Sequence, residues 1–415
     1  MAHRAVLTAG PVVADGRIGG VLRRLSGPDP LAVVGDRLIA FLFLVSFVVS
    51  VSAQRMFFYV VLIPLGLAAL RHPVWRRRAG ALLHHPLFLA AAAHALALWV
   101  SGWLVGPVSL PRFLDVTGET TMPLAFLGIV AAVVSRRPDA PTGWAWALGA
   151  AAVLGIVHTY LVLGVDGVDA LGRFYTVAGL GKWPTRSGPL FAVILLGLVL
   201  LAAPRARTTG MRLLTAALIA GVTYGLVASE TRGGLLGVAA GALIAVVLTV
   251  PRLLLPTAGT LAALAAGIWF IGPLIGADTV FRGDDYRIQI WQRAFELAAQ
   301  SPWLGHGFGT DYRLVMHDGV VFTSAHNILM SAQLFGGLPA LLTLVALIVA
   351  GVVATARMRR DSMAPLAMFV AGLVAMSVDF RTVMRDLNPE WVLFWLPLAI
   401  ALGHDLRRRL AAGDP

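Results

Sequence analysis

Long apolar runs recur along the whole chain, and short segments rich in arginine, proline and glycine separate them. Each run is close to the length that an α-helix needs to cross about 30 Å of hydrocarbon. The pattern predicts twelve membrane spans, near residues 37–54, 56–71, 86–106, 120–135, 142–164, 187–203, 212–228, 232–250, 256–275, 325–353, 364–381 and 390–404. The sequence therefore indicates an all-α polytopic membrane protein.

Composition and charge agree with this interpretation. Hydrophobic residues make up 58% of the chain, charged residues 13%, and the mean hydropathy is +0.81, which excludes a soluble globular domain. With a cytoplasmic N-terminus, 21 of the 33 lysines and arginines fall on the cytoplasmic side, as is typical of inner-membrane proteins. Both termini are then cytoplasmic. The net charge of +12 reflects topology and requires no nucleic-acid partner.

The connections predict where the chemistry lies. We divide the chain into a cytoplasmic N-terminal arm, nine spans, an outer loop, three further spans and a cytoplasmic tail, at residues 1–36, 37–275, 276–324, 325–404 and 405–415. Outer connections are long, above all 276–324, whereas cytoplasmic ones are short except for the arm and the basic stretch 71–85. Long loops in a compact bundle are usually functional, so we expect the site on the outer face. The absence of cysteine excludes thiolate catalysis and disulfides.

The outer loop carries its own pattern. From Tyr286 to Gln300, apolar residues recur at helical spacing between charged ones, which predicts an amphipathic helix lying along the membrane surface. Pro302 ends this helix. Glycines on both sides of His306 then permit left-handed backbone in a closely packed loop.

Three ordered motifs carry a resemblance to a known family. They are Arg287-x-x-x-Trp291, the Ser-Pro-Trp-Leu-Gly-His-Gly-Phe-Gly of 301–309, and Ala-His-Asn at 325–327 before a span with Gly-Gly-Leu at 336–338. In this order they resemble the O-antigen ligase and polymerase superfamily. The Ser-Glu-Thr-Arg-Gly-Gly of 229–234 is a looser match to another segment of that family.

The resemblance implies a fold and an activity. Members transfer or polymerise glycans carried on undecaprenyl pyrophosphate at the periplasmic face of the bacterial inner membrane, within the membrane fold of the third structural class of glycosyltransferases. The twelve-span layout with a large loop between spans nine and ten is most similar to the ligase branch, which joins O-antigen to lipid A-core. The polymerase branch has similar motifs and stays open as an alternative.

Cations are needed to hold a pyrophosphate donor, and arginine binds phosphate oxygens through two parallel hydrogen bonds. Arg287 opens the predicted surface helix, Arg186 lies at the mouth of the sixth span, and Arg232 lies at the outer turn between spans seven and eight. These three residues, with Lys182, are our candidates for donor binding. The alternative for each is ordinary anchoring of a helix end at the lipid headgroups.

The acceptor hydroxyl needs a base, and histidine serves near neutral pH. We assign this role to His326, since it lies at the lipid boundary where a helix N-terminus favours the neutral ring. The alternative is a capping or interfacial histidine. Substrate-orienting candidates are Asn327, His306, Arg381 and Asp379. For His306 a structural hydrogen bond to a neighbouring loop is the alternative, and for the last two a mutual ion pair.

We expect neither a metal nor any other cofactor, because arginines can meet the pyrophosphate and the outer acidic residues lack ligand spacing with histidines. Asp284 and Asp285 are the remaining candidates for a cation. Twelve spans with cytoplasmic termini also suit a secondary transporter or lipid flippase. However, charged residues cluster at span ends rather than at the midplane, and the two halves of the chain do not look alike.

Overall fold

The computed structural model describes residues 29–105, 109–164, 173–253, 255–256, 259 and 286–412. Within these ranges the chain is almost entirely helical, and the strands β1 (Leu314–Val315) and β2 (Val321–Phe322) form a short antiparallel hairpin. The prediction of an all-α polytopic membrane protein is confirmed.

The helices follow one another with short connections. In chain order they are α1 Pro30–Leu44, α2 Val51–Ala69, α3 Pro73–Leu83, α4 Pro86–Leu104, α5 Leu110–Arg136, α6 Ala140–Leu163, α7 Pro184–Gly197, α8 Thr209–Ala228, α9 Arg232–Thr249, α10 Arg287–Gln300, α11 Ile328–Arg357, α12 Ala364–Asp379 and α13 Leu396–Ala412. Wider π-helical turns occupy Phe58–Leu62 inside α2, Leu198–Ala202 after α7 and Trp391–Trp395 before α13. Short 3₁₀ turns lie at Gly179–Gly181, Ala203–Arg205 and Pro251–Leu253.

Eight helices of the described residues are long and apolar enough to cross a membrane, against the twelve spans predicted. The shorter apolar helix α12 matches the predicted span 364–381, and α13 with its preceding π turn matches 390–404. The predicted span 256–275 lies outside the described residues apart from Pro256 and Gly259. The surface helix predicted over 286–300 is confirmed as α10.

The first predicted span, 37–54, is wrong in its bounds. Asp29 caps α1 by accepting a hydrogen bond from the backbone N–H of Ala32 at 3.3 Å, so the helix already begins at Pro30, within the predicted arm. It ends at Leu44, and Ser50 caps the next helix. The apolar run therefore covers a helix, a turn and the start of another helix, and hydropathy alone does not reveal the turn.

Two predicted connections are partly helical. The basic stretch 71–85 contains α3, which His72 caps at its N-terminus. The outer connection predicted over 107–119 contains the first turns of α5, which begin at Leu110 after the cap Ser109. In both places polar residues lower the hydropathy of a segment that is nevertheless helical.

Helices α7, α9 and α12 pack closely through small residues. A Cβ atom on Gly234 of α9 would lie 2.6 Å from the carbonyl carbon of Gly188 in α7. A Cβ atom on Gly237 would lie 2.7 Å from the carbonyl oxygen of Ala371 in α12. Small residues let helix backbones approach in a membrane. This contact fixes the first turns of α7 and α9 against each other and against the end of α12.

Helix α11 is broken near its start, at Gly337, where φ is +62° and ψ is −160°. Only glycine adopts such a conformation readily. The loop after α10 satisfies backbone groups around the break. The N–H of Leu338 donates to the carbonyl of Pro302 at 2.8 Å, and the N–H of His306 donates to the carbonyl of Leu334 at 2.7 Å. The glycine-rich loop and the Gly-Gly-Leu motif therefore form one packed unit.

Candidate functional site

Two of the predicted donor-binding arginines lie at neighbouring helix starts. Arg186 is in the first turn of α7, two residues before Gly188, and Arg232 is the first residue of α9, two residues before Gly234. Because Gly188 and Gly234 are in backbone contact, both arginines lie at the same end of the bundle, which we call the outer end. Lys182 is exposed just before α7.

Arg287 joins this group through Asp379. Its guanidinium Nη2 lies 2.5 Å from Oδ1 of Asp379, and its Nε donates to the carbonyl of Val378 at 3.0 Å. The Asp379 side chain is only 3% exposed, whereas that of Arg287 is 28% exposed. A Cβ atom on Gly233 would lie 2.7 Å from Oδ2 of the same carboxylate, so α9 begins beside this pair. We call Arg186, Arg232, Arg287 and Asp379 the arginine cluster.

Helix starts add to the positive potential of the arginine cluster. Helices α7, α9 and α10 all begin here, and no side chain of their N-cap residues accepts a hydrogen bond from the first turn. The N-terminal N–H groups of a helix carry a partial positive charge and favour anions. The arrangement suits an anionic ligand.

His326 lies close to this cluster in an unusual backbone conformation. Its φ is +50°, in the left-handed region that few residues other than glycine enter. The ring packs edge-on against Phe322 at 6.2 Å between centroids, and Phe322 in turn packs against Tyr286, the residue before Arg287. Unusual backbone conformations concentrate at functional sites, which is consistent with a role for this histidine.

The contacts of two other candidates, Asn327 and His306, are structural. Asn327 caps α11, since its Oδ1 accepts hydrogen bonds from the N–H groups of Leu329 and Met330 at 2.9 and 3.2 Å. The capping role thus belongs to Asn327 rather than to His326. His306 donates from Nε2 to the carbonyl of Leu297 at 2.8 Å, which is the structural alternative that the sequence left open.

The predicted ion pair between Asp379 and Arg381 does not form. Asp379 pairs with Arg287 instead. Arg381 donates from Nη2 to the carbonyl of Thr310 at 2.9 Å and lies 3.7 Å from Asp311. The two side chains diverge because α12 ends at Asp379, and the extended backbone that follows turns Arg381 towards a different region.

That region is a cavity of about 970 Å³ at the outer end. Its walls come from α2, the first turns of α5, the loop 308–311 and the segment 381–386. Four arginines line it, namely Arg55, Arg112, Arg381 and Arg385. We call it the outer cavity. Its lining does not include the His326 ring.

Carboxylates of the outer cavity balance some of these arginines. Arg55 lies 2.8 Å from Asp386, and Arg385 lies 4.0 Å from Glu119. Burial raises the pKa of Asp386 above its ordinary value, and Arg55 and Arg385 lower it by less. The cavity therefore combines closely spaced positive, negative and neutral polar groups.

Most residues that line this cavity were not predicted from the sequence. Arg381 was named as a substrate-orienting candidate, but Arg55, Arg112 and Glu119 were not. One signal was available, since the start of α5 reads Leu-Pro-Arg-Phe-Leu-Asp-Val-Thr-Gly-Glu and is too polar to face lipid. A polar helical segment next to a membrane span indicates a water-filled surface.

No group of three or more histidine, aspartate or glutamate side chains that could hold a metal ion occurs among the residues that the structure describes. Asp284 and Asp285 lie outside those residues. The expectation of a metal-free site stays a prediction.

Comparison with known proteins agrees with the motifs. Residues 215–345 match a family model described as O-Antigen ligase. Over 133 residues the chain is 29% identical to an O-antigen ligase of Pseudomonas aeruginosa, a match that spans 32% of this chain and 33% of the relative. The resemblance to the O-antigen ligase and polymerase superfamily is confirmed. The matched segment contains Arg232, Arg287 and His326, whereas Arg186 and most of the outer cavity lie outside it.

Proposed function

We propose that the protein is an O-antigen ligase, which transfers a glycan from undecaprenyl pyrophosphate to a sugar hydroxyl of lipid A-core at the periplasmic face of the inner membrane. The observation that carries this proposal is that Arg186, Arg232 and Arg287 each stand in the first turn of a helix at one end of the bundle, and that Arg287 pairs with Asp379 beside the start of α9 and near the segment that holds His326. The family match supports the same activity.

The arginine cluster would hold the donor. A pyrophosphate at the membrane surface carries its negative charge at the depth where these span mouths lie, while its prenyl tail stays in lipid. Guanidinium groups and uncapped helix starts stabilise the charge that grows on the leaving group. Asp379 would serve to position the guanidinium of Arg287, with Lys182 contributing charge at the rim.

His326 would act on the acceptor. The acceptor oxygen attacks the anomeric carbon of the donor sugar as His326 takes the hydroxyl proton. The bond from that carbon to the pyrophosphate oxygen breaks, and undecaprenyl pyrophosphate leaves with the electron pair. A direct displacement inverts the anomeric configuration and needs no metal, because the arginine cluster meets the leaving charge.

The test is substitution of His326 in a strain that lacks its own ligase, followed by gel analysis of the lipopolysaccharide. His326→Asn is the informative change, since asparagine tolerates the left-handed backbone of this position. A ligase that loses its base leaves bare core while lipid-linked polymer accumulates. The expected loss is about a hundredfold or more in the rate of transfer.

The controls separate the alternatives. Substitution of His317, an outer-loop histidine at an exposed turn, should leave a normal ladder at equal expression. Core that carries a single repeat unit after His326→Asn would identify a polymerase instead. A normal ladder from well-expressed His326→Asn protein would exclude this residue as the base.

A further inference from the structure

The outer cavity adjoins the His326 segment through one side chain. The guanidinium carbon of Arg381, which lines the cavity, lies 5.5 Å from the centre of the Tyr312 ring. The hydroxyl of Tyr312 accepts a hydrogen bond from the backbone N–H of Ala325 at 3.2 Å. Ala325 directly precedes His326. A ligand in the cavity would therefore lie next to the segment that carries the proposed base.

Among the residues that the structure describes, neither Arg112 nor Arg381 forms an ion pair with a buried carboxylate. Arg112 donates to the carbonyls of Gly102 and Phe308 at 3.2 to 3.3 Å, and these acceptors carry no net charge. Arg381 donates to the carbonyl of Thr310, and its carboxylate neighbour Asp311, at 3.7 Å, is 86% exposed. Solvent screens such an exposed charge strongly.

The same loop brings these two arginines together. They bind the carbonyls of Phe308 and Thr310, which are two residues apart in the glycine-rich loop. Gly307 and Gly309, on either side of Phe308, have φ of +88° and +79°, which only glycine adopts readily. The loop therefore holds a pair of arginines on one wall of the cavity.

The rest of the lining suits a sugar. The remaining pairs, Arg55 with Asp386 and Arg385 with Glu119, can donate to and accept from hydroxyl groups, and Tyr59 and Thr117 add hydroxyls. A volume of about 970 Å³ is large enough for several sugar rings. Polar groups of both kinds, placed close together, are what a polyhydroxylated ligand requires.

We infer that the outer cavity binds the saccharide of the acceptor, and that Arg112 and Arg381 together bind a phosphate group on it. This inference rests on the proposed function and adds the acceptor site to it. The donor is held on the other side of the segment 379–381, where Asp379 faces Arg287 and Arg381 faces the cavity. Acceptor and donor would then lie on either side of this segment, and Arg381 and Tyr312 connect the acceptor side to the backbone just before His326.

The experiment measures both substrates separately, with the purified full chain in lipid nanodiscs. Arg381→Met and Arg112→Met remove charge while keeping an apolar stem of similar length. Each should raise the KM for rough lipopolysaccharide about tenfold or more and change the KM for the lipid-linked glycan less than about twofold. Arg293→Met, which loses a surface pair with Glu296 on α10, is the matched control and should change neither.

A second experiment changes the acceptor instead of the protein. Rough lipopolysaccharide stripped of its phosphates by hydrofluoric acid should show a raised KM with the unmodified protein, and the arginine variants should no longer differ from it on this probe. A raised donor KM in the variants, or an unchanged acceptor KM, would overturn the inference. So would equal use of both forms of the probe by the unmodified protein.

Failure of the proposed function gives a different result. If the unmodified protein transfers no glycan, binding of phosphorylated and dephosphorylated core oligosaccharide, followed by saturation-transfer NMR without donor, still tests the cavity. Loss of the phosphate-dependent signal in Arg381→Met, but not in Arg293→Met, would support the acceptor site on its own. No difference between the two oligosaccharides would refute it.

Discussion

The arginine cluster and the outer cavity lie at the same end of the bundle and share the segment 379–381, yet their charges are arranged differently. In the cluster, three arginines stand at uncapped helix starts, and Asp379 pairs with one of them, Arg287. In the cavity, arginines and carboxylates alternate. Fixed positive charge suits a pyrophosphate, whereas mixed polarity suits hydroxyl groups. On our proposal, this end of the molecule is divided between a half that binds the pyrophosphate and a half that binds the acceptor sugar.

Removal of Arg287 should have the largest effect on ligation. Because Arg287→Met deletes a cation that we propose binds the donor, we expect the ligation rate to fall about a hundredfold or more. It also leaves the Asp379 carboxylate, 3% exposed, without this guanidinium, so the free energy of unfolding should fall by about 3 kcal/mol. Ligation kinetics and thermal unfolding in detergent measure the two effects.

The double variant Arg287→Met with Asp379→Asn separates the loss of ligation from the loss of stability. Removal of both charges should restore much of the stability, whereas activity should stay low. Recovery of activity together with stability would show that Arg287 serves only to hold the fold.

A smaller loss of ligation is expected from a change at the contact between α7 and α9, which positions Arg186 and Arg232. A methyl group on Gly234 would lie 2.6 Å from the carbonyl carbon of Gly188, so Gly234→Ala should push α7 and α9 apart and displace Arg186 from Arg232. We expect a tenfold to hundredfold loss of ligation, on the order of what a displacement of about 1 Å costs. The KM for the donor should rise more than that for the acceptor.

The matched control is Gly143→Ala in α6. A Cβ atom there meets nothing within 4 Å, and alanine favours the helix, so stability should be unchanged or slightly higher. An equal loss of activity in both variants would show that the crossing has no special role.

The smallest expected effect concerns Asp386 on the cavity side. Burial raises the pKa of its carboxyl above the ordinary value near 4, so the ionised form costs stability, and this cost grows as the pH rises above that value. Asp386→Asn should therefore raise the unfolding temperature at pH 7, and the gain should vanish as the pH falls towards 4. Thermal unfolding across this range measures it. A gain of equal size at pH 4, or a loss at pH 7, would contradict the assignment.

Much of the fold could be predicted because a lipid environment makes hydropathy informative. The bounds of α4, α6, α8 and α9 lie within a few residues of the predicted spans. The predicted bounds were wrong where a helical segment is polar, as in α3 and at the start of α5. They were also wrong where the turn between Leu44 and Ser50 interrupts an apolar run. Turns inside apolar sequence leave no trace in composition.

The site was predictable only in the part that carries motifs. Arg287 and His326 stand in a recognisable order within one stretch of the chain, residues 287–326, whereas Arg55, Arg112 and Arg385 come from distant segments that only folding brings together. Partners were also beyond the sequence, since Asp379 can reach either Arg381 or Arg287, and the end of α12 decides between them. Local order in a sequence reveals local structure, but pairing across helices depends on packing.

The break of α11 at Gly337 has a practical consequence for protein engineering. The short helical piece after His326 and the glycine-rich loop share backbone hydrogen bonds, such as that from the N–H of His306 to the carbonyl of Leu334. A chimera with a relative should therefore exchange residues 287–342 as one cassette. Junctions placed between the loop and the broken helix would separate hydrogen-bonded partners that come from two different segments.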